Sequence, residues 1–178
     1  MKTLTLNTSN INKLKEFIRL FAKYQISLHS TCLDIPEIQA DPTTVVIHKA
    51  SQVGEEILVE DTSLEIAQAS IGINIRWQLN DLPKYIGQKA IWRVLLAYRQ
   101  KDRVYVYEGK ISGQIVAPKG DLSFGFDSFF LPEGSEYTFG ESKPNSLNAR
   151  AKAVEAFVLK MPISIHPPIF DWHGSWQL

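Results

Sequence analysis

The start of the chain constrains the fold most, because it changes from a strand pattern to a helix pattern within a few residues. Apolar and polar residues alternate over 2–7, which predicts a short strand. The polar turn Thr8-Ser9-Asn10 follows, and apolar residues recur at helical spacing from Ile11 onward. A strand, a polar turn and a helix in this order predict an α/β protein. They also place backbone N–H groups and Lys13 near a helix start, where anions bind.

A second strand pattern ends in two acids. Ile57-Leu58-Val59 predicts a buried strand, and Glu60-Asp61-Thr62-Ser63 follows it directly. Acids at the carboxyl end of a buried strand lie where α/β sheets bind ligands. Asp, Thr and Ser also make capped turns well. The residues alone leave both interpretations open.

The middle and the end of the chain add further elements. Residues 104–117 predict either two long strands or one bent strand with a bulge at Gly109. Three further helices are predicted from capping residues and apolar spacing: one that begins at Asp41-Pro42, one from Asp81 to about Arg99, and one from Ser146 to about Leu159.

The stretch Ser123–Gly134 combines aromatic rings with glycine, proline and the acid Asp127. Phe124 and Phe126 can offer ring faces to a flat ligand, Gly125 allows close approach of a backbone, and Asp127 adds a carboxylate. This mixture indicates a pocket wall for a nucleobase. The alternative is a strand, a bulge and a turn in an aromatic core, which the residues alone slightly favour.

Size and charge limit the classes of function. The 178 residues predict one domain over 1–160 and a Pro/Trp-rich tail over 161–178, which packs on that domain or on a partner chain. Lys+Arg and Asp+Glu both count 19, so no overall basic field attracts nucleic acid.

Two further features indicate a cytoplasmic protein without a membrane partner. We find neither a signal-peptide pattern nor an apolar run long enough to span a membrane. The single cysteine, Cys32, is expected as a small buried side chain in a reducing compartment.

Charged residues from separate loops could serve metal-assisted hydrolysis of a phosphoanhydride. Phosphates need cations and helix-end amides, while magnesium needs one or two carboxylates. Any chain of this size carries such residues, so composition alone supports this chemistry weakly. The candidate cations are Lys13, Lys49, Arg76, Arg150 and Lys152, and the candidate acids are Glu16, Glu37, Glu60, Asp61 and Asp127.

Order and spacing carry more information than composition. Six motifs between about Thr5 and Val158 resemble, in the right order, those of the inosine triphosphate pyrophosphatase family. They are Thr8 to Glu16, Asp34-Ile35-Pro36-Glu37, Leu58 to Leu64, Ser112 to Pro118, Phe124-Gly125-Phe126-Asp127, and Ala149 to Ala153. Each motif is loose alone, and the ordered set is specific.

The resemblance implies an elongated α/β fold. Its long twisted mixed sheet has flanking helices, and two lobes surround a central nucleotide cleft. It also implies a homodimer that hydrolyses a purine nucleoside triphosphate to the monophosphate and pyrophosphate. The implied cofactor is Mg²⁺, and the implied substrates are the deaminated nucleotides ITP, dITP and XTP.

The resemblance also assigns roles by position. Phosphate contacts are implied for the 8–13 segment and for Lys49. Glu37 and Asp61 would serve magnesium, and Asp61 would orient the attacking water. The base would be held by Phe124 through stacking, with its neighbours at the edge. The full implied set is Thr8, Ser9, Asn10, Lys13, Glu37, Lys49, Asp61, Thr62, Arg76, Phe124, Gly125, Phe126, Asp127 and Arg150.

This chain departs from the family pattern mainly in the last motif. Members commonly have Ser-His-Arg where this chain has Asn148-Ala149-Arg150. The missing histidine is expected to recognise the six-position oxygen of the purine, so the base preference is open. Two alternatives follow from it: the same chemistry on another modified or common NTP, and a non-catalytic nucleotide-binding regulatory protein.

Overall fold

The computed structural model describes residues 2–67, 69, 75 and 79–177, and these form a mixed α/β structure. Short 3₁₀ helices cover Leu79–Tyr85, Asp127–Phe129 and Asn145–Leu147. The other elements are β1 (Lys2–Asn7), α1 (Ile11–Ala22), β2 (Ile26–Thr31), α2 (Pro42–Val53), β3 (Ile57–Ile66), β4 (Lys89–Gln100), β5 (Arg103–Ile115), β6 (Phe130–Pro132), α3 (Ala149–Val158) and β7 (Ser164–His166).

The strands form one seven-stranded sheet of order β2-β1-β3-β4-β5-β6, and β7 pairs with β5. β1 is parallel to both β2 and β3, whereas β5 is antiparallel to β6 and to β7. The mixed sheet confirms the predicted fold class. The parallel part of the sheet brings the carboxyl ends of β1 and β2 level with Val59, and β3 continues beyond that point to Ile66.

Contacts between Cα atoms divide the chain into two compact units. Unit 1 comprises Met1–Asp61, Leu95–Glu108 and Ala153–Leu178, and unit 2 comprises Thr62–Val94 and Gly109–Lys152. The predicted boundary at residue 160 stays a prediction.

Unit 1 has an aliphatic core and an aromatic cluster. Val46, Ala50 and other residues of α2 pack against Val59 of β3 and against β4 and β5. On α1, Phe17 and Phe21 are fully buried, and the Phe21 ring meets the Phe157 ring of α3 edge-on, with centroids 5.9 Å apart. The predicted apolar face of α2 is therefore confirmed. On α1 the prediction holds for Phe17 and Phe21, whereas Ile11 and Ile18 are exposed.

Unit 2 has an aromatic core. Trp92 of β4 is fully buried and contacts the rings of Phe126 and Phe139 at centroid distances of 6.1 and 5.1 Å. Phe130 stacks on Phe139 at 5.1 Å, with 14° between the ring planes. The stretch Ser123–Gly134 thus supplies core aromatics, a 3₁₀ turn and the short strand β6.

Capping residues begin the helices of unit 1 as the sequence predicts. The Asn10 side chain accepts hydrogen bonds from the backbone N–H groups of Asn12 and Lys13. Asp41 accepts one from Thr44 N, and Pro42 occupies the first turn of α2. Both caps satisfy N–H groups that have no partner inside the helix.

Four local predictions are wrong. Glu60 and Asp61 neither end a strand nor form a capped turn, because β3 continues through them to Ile66. The helix predicted from Asp81 to about Arg99 is a 3₁₀ turn followed by strand β4, in which positions 90, 92 and 94 are buried alternately before a fully buried run. Such a run is typical of a central strand covered on both faces. Cys32 is exposed rather than buried. The last helix begins at Ala149, not near Ser146.

The structure decides between the two alternatives for residues 104–117. Residues 103–115 form the single long strand β5, so Gly109 separates no strands. β5 passes from unit 1 to unit 2 along its length.

Candidate functional site

The two predicted magnesium ligands of unit 1, Glu37 and Asp61, meet at Lys49. This side chain extends from α2, and its Nζ lies 2.6 Å from Glu37 Oε1 and 2.6 Å from Asp61 Oδ1. Glu37 stands in the loop before α2, and Asp61 lies in β3. One ammonium therefore bridges two carboxylates that come from different elements.

Burial makes this cluster electrostatically strong. Asp61 is only 8% exposed, and its second oxygen, Oδ2, is buried without a hydrogen-bond partner in the described part of the chain. Burial alone would lower the pKa of Lys49, but the carboxylates of Asp61 and Glu37 outweigh it and raise the pKa. Burial raises the pKa of Asp61, although the Lys49 ammonium opposes this. Lys49 therefore stays charged at neutral pH.

A second ion pair lies beside this cluster in sequence. Lys13 Nζ of α1 lies 2.7 Å from Glu60 Oε2, and Glu60 is the residue before Asp61 in β3. The parallel pairing of β1 with β3 explains the contact, since α1 follows the end of β1. Glu60 and Asp61 thus each hold one lysine of unit 1.

The Thr8-Ser9-Asn10 turn is fixed by its own hydrogen bonds. Thr8 Oγ1 accepts a hydrogen bond from Asn10 N at 3.2 Å, and Thr8 N donates to Thr31 O at 2.9 Å. The Asn10 carboxamide is occupied by its cap contacts. Ser9 is exposed at the tip of the turn.

In unit 2, two cations lie against the predicted base-stacking ring. Lys143 Nζ is 5.0 Å and Arg150 Cζ is 5.4 Å from the centroid of the half-buried Phe124 ring. The same two groups lie 4.5 and 5.3 Å from the centroid of Trp92. Cations at these distances are attracted by the negative face of an aromatic ring.

Asp127 completes this set of side chains. It is buried, and its Oδ2 accepts a hydrogen bond from Lys143 Nζ at 2.8 Å. Gly125 adopts a φ of 56°, a left-handed conformation that favours glycine, so the turn itself explains this residue. The Phe126 side chain faces the aromatic core.

The motif Asn148-Ala149-Arg150, which differs from the family pattern, is buried throughout. Asn148 Oδ1 accepts hydrogen bonds from the N–H groups of Arg150 and Ala151, at 2.8 and 3.2 Å, and so caps α3. Arg150 Nη2 donates to Thr62 Oγ1 at 3.1 Å. Asparagine keeps the capping function that serine would supply, whereas Ala149 supplies no hydrogen-bonding side chain.

The predicted residues therefore fall into one set in each unit. Arg76 lies outside the described residues. Sequence reasoning assigned no role to Lys143 or Trp92. The unit 1 set is Thr8, Ser9, Asn10, Lys13, Glu37, Lys49 and Asp61, and the unit 2 set is Thr62, Phe124, Gly125, Phe126, Asp127 and Arg150.

The residues of unit 1 suit a magnesium ion whose other ligands are phosphate oxygens and water. Among the described residues, no group of three or more His, Cys, Asp or Glu side chains could hold a metal by itself. Magnesium is commonly bound by one or two carboxylates plus phosphate oxygens and water. Glu37 and Asp61 converge on one cation, and Asp61 Oδ2 has no hydrogen-bond partner. The donor set therefore fits the ion.

Known proteins resemble this chain over most of its length. The Ham1 family model matches residues 4–160. An inosine triphosphate pyrophosphatase of Tuber melanosporum (strain Mel28) is 31% identical over 188 residues, covering 93% of this chain and 99% of that protein.

A solved structure has a similar fold. It is the nucleoside-triphosphatase, or dITP/XTP pyrophosphatase, of Mycobacterium abscessus ATCC 19977 / DSM 44196, with a TM-score of 0.57 and 21% identity. The match covers 88% of this chain and 98% of that one, and at this identity it bears on the fold alone. None of the described helices has the length and apolar character needed to cross a membrane.

Proposed function

The chain belongs to the Ham1 family of nucleoside triphosphate pyrophosphatases, and we propose that it hydrolyses ITP, dITP and XTP to the monophosphate and pyrophosphate with Mg²⁺. The observation that carries the proposal is the meeting of Glu37 and Asp61 at Lys49 Nζ, at 2.6 Å each. Two carboxylates and a lysine at one point match the needs of phosphoanhydride hydrolysis.

The cations of unit 1 would bind the phosphates. Lys13 and Lys49 are paired with Glu60 and Asp61, so their charges are held in place before the substrate arrives. Pre-positioned charges stabilise the negative charge that develops on the reacting phosphate oxygens without reorganisation during the step. The backbone of residues 8–10 would contact the phosphates, because the side chains of Thr8 and Asn10 already accept hydrogen bonds from nearby backbone N–H groups.

Glu37 and Asp61 would hold the magnesium ion. When bound, Mg²⁺ would polarise the phosphate oxygens and neutralise part of their charge. Asp61 would also orient the attacking water through its second oxygen, Oδ2. Burial raises the pKa of Asp61, and a carboxylate with a raised pKa accepts a proton more readily.

The unit 2 set would bind the base. The partly exposed ring of Phe124 would stack on it, and Asp127 and Arg150 would supply polar contacts at its edge. Lys143 joins this set because it bonds to Asp127 and covers the Phe124 ring.

Ala149 favours a second candidate within the same chemistry, namely hydrolysis of another modified or common NTP. A buried alanine donates no hydrogen bond to the six-position oxygen of a purine. A site that lacks such a donor discriminates less between bases.

A substrate panel tests both candidates. Pyrophosphate release would be measured with Mg²⁺ for ITP, dITP, XTP and the four common NTPs. We expect the highest kcat/KM for the deaminated purines. Preference for a different NTP would support the second candidate, and absence of turnover with every nucleotide would overturn both.

We also propose a cytoplasmic homodimer. The proposal rests on the family resemblance and on the single cysteine. Light scattering of the purified chain distinguishes a monomer from a dimer.

A further inference from the structure

The tail after α3 reaches the loop that carries Glu37. Gln177 N donates to Glu37 O at 2.8 Å, and Gln39 N donates to Ser175 O at 2.9 Å. Between these bonds, Ile38 and Trp176 form an isolated antiparallel bridge. The backbone of Glu37–Gln39 is therefore paired with the backbone of Ser175–Gln177, as in two strands of a sheet.

Further contacts hold the two segments together. Gln177 Nε2 donates to Ile38 O at 3.0 Å, and the Ile38 side chain is fully buried. The Trp176 ring meets the His48 ring edge-on, with centroids 5.7 Å apart. His48 precedes Lys49 on α2, so the tail contacts two of the three elements that position the carboxylate–lysine cluster.

The tail is anchored before it reaches this loop. β7 pairs with β5, and Ile169 N donates to Ser51 Oγ of α2 at 2.8 Å. Gln52 Nε2 donates to Phe170 O at 2.9 Å. A turn follows in which Trp172 Nε1 donates to Ser175 O at 2.8 Å. The tail residues before Ser175–Gln177 are therefore held in place by β5, by α2 and by this turn.

The Glu37 loop depends on such support because it lies between β2 and α2 without regular structure of its own. Asn7 holds its beginning, since Asn7 Oδ1 accepts from Leu33 N at 2.8 Å. The tail holds Glu37–Gln39, three residues that include the carboxylate bound to Lys49. The family model ends at residue 160, before this tail.

We propose that Ser175–Gln177 is a positioning segment, which fixes the backbone of Glu37 so that its carboxylate stays at the Lys49–Asp61 cluster and can bind a divalent cation. The proposal rests on the function proposed above for Glu37. Residues that orient a metal ligand change metal affinity about 10- to 100-fold when they are altered. The segment acts through Glu37 and touches neither the cation nor the substrate.

The experiment removes one backbone hydrogen bond and compares it with matched variants. Gln177→Pro deletes the N–H that bonds to Glu37 O, and Gln177→Ala deletes only the side-chain bond to Ile38 O. Phe170→Ala, elsewhere on the tail, is the control for tail packing, because Phe170 contacts Arg99 and not the Glu37 loop. Mn²⁺ binding is titrated by electron paramagnetic resonance, and Mg²⁺ dependence is measured with ITP.

We expect Gln177→Pro to weaken Mn²⁺ binding about tenfold, Gln177→Ala to weaken it less, and Phe170→Ala to leave it unchanged. The Mg²⁺ concentration for half-maximal rate should rise by the same factor, with kcat at saturating Mg²⁺ within about twofold of wild type. In a Glu37→Gln background, Gln177→Pro should have no further effect on Mn²⁺ binding.

A lower Tm for Gln177→Pro with unchanged Mn²⁺ affinity would overturn the proposal, and so would a wild-type protein that binds no Mn²⁺. If Gln177→Pro does not fold, Gln177→Ala and Trp176→Ala decide by the same measurements. Tail-dependent Mn²⁺ binding without hydrolysis of any NTP would refute the proposed function alone. Hydrolysis with equal Mg²⁺ dependence in all tail variants would refute the tail proposal alone.

Discussion

The two units hold their charged groups in different surroundings. In unit 1, the Lys49 ammonium lies between two carboxylates. In unit 2, Lys143 and Arg150 lie against aromatic rings, and Asp127 is the acid that Lys143 contacts. The first arrangement suits phosphate and a divalent cation, and the second suits a flat base.

This difference separates two parts of one proposed activity. The residues expected for phosphate chemistry are present in unit 1, whereas the final motif in unit 2 has lost its histidine. Changes in unit 1 should therefore act mainly on kcat, and changes in unit 2 on KM and on the choice of base.

Replacing Asp61 should have the largest effect. Asp61→Asn preserves shape but removes the charge that orients water and binds the cation, so kcat for ITP should fall about a hundredfold or more. The stabilisation of the protein by nucleotide in a melting assay should remain. Asp102→Asn, at an exposed position of the β4–β5 turn, is the control and should keep wild-type kcat. A near-normal kcat for Asp61→Asn would contradict the role in phosphate chemistry that is proposed for unit 1.

Replacing Phe124 should have an intermediate effect. Phe124→Ala removes the ring, and loss of base stacking should raise KM about tenfold while kcat changes little. Because every base has a flat face, the factor should be similar for ITP and GTP. Phe124→Tyr keeps the ring and should stay near wild-type KM. A fall in kcat without a change in KM would contradict the division between the two units.

The cap of α3 should have the smallest effect. Asn148→Ala removes the acceptor for two backbone N–H groups and should lower the free energy of unfolding by about 1 kcal/mol. Asn148→Ser, the residue common in the family, should restore most of this loss. Urea unfolding measures both variants. Equal stability of Asn148→Ala and wild type would show that the Asn148 side chain does not stabilise α3 as a cap.

Local patterns predicted much of unit 1. The caps Asn10 and Asp41 are signals within a few residues of the helices that they begin, and the structure confirms those helices. Glu60 and Asp61 were expected to end a strand over 57–59, whereas β3 continues through them to Ile66. β4 was mistaken for a helix because its apolar residues, which are buried on both faces of the strand, also include positions at helical spacing. Its strand character comes from the sheet around it.

Contacts between distant segments could not be predicted. The pairing of Glu37–Gln39 with Ser175–Gln177 joins two irregular segments far apart in sequence, and neither carries a strand pattern. The contact of Lys143 with Asp127 likewise joins a loop to a short 3₁₀ helix. The roles of the site residues themselves stay predictions that the variants above test.

Product analysis with ITP tests the central claim most directly. Purified protein, ITP and Mg²⁺ would be incubated, and the products would be separated by anion-exchange chromatography. The proposed function predicts equal amounts of IMP and pyrophosphate, and the role proposed for Asp61 predicts that turnover is lost in Asp61→Asn. Formation of IDP and phosphate, or turnover that survives in Asp61→Asn, would contradict the account.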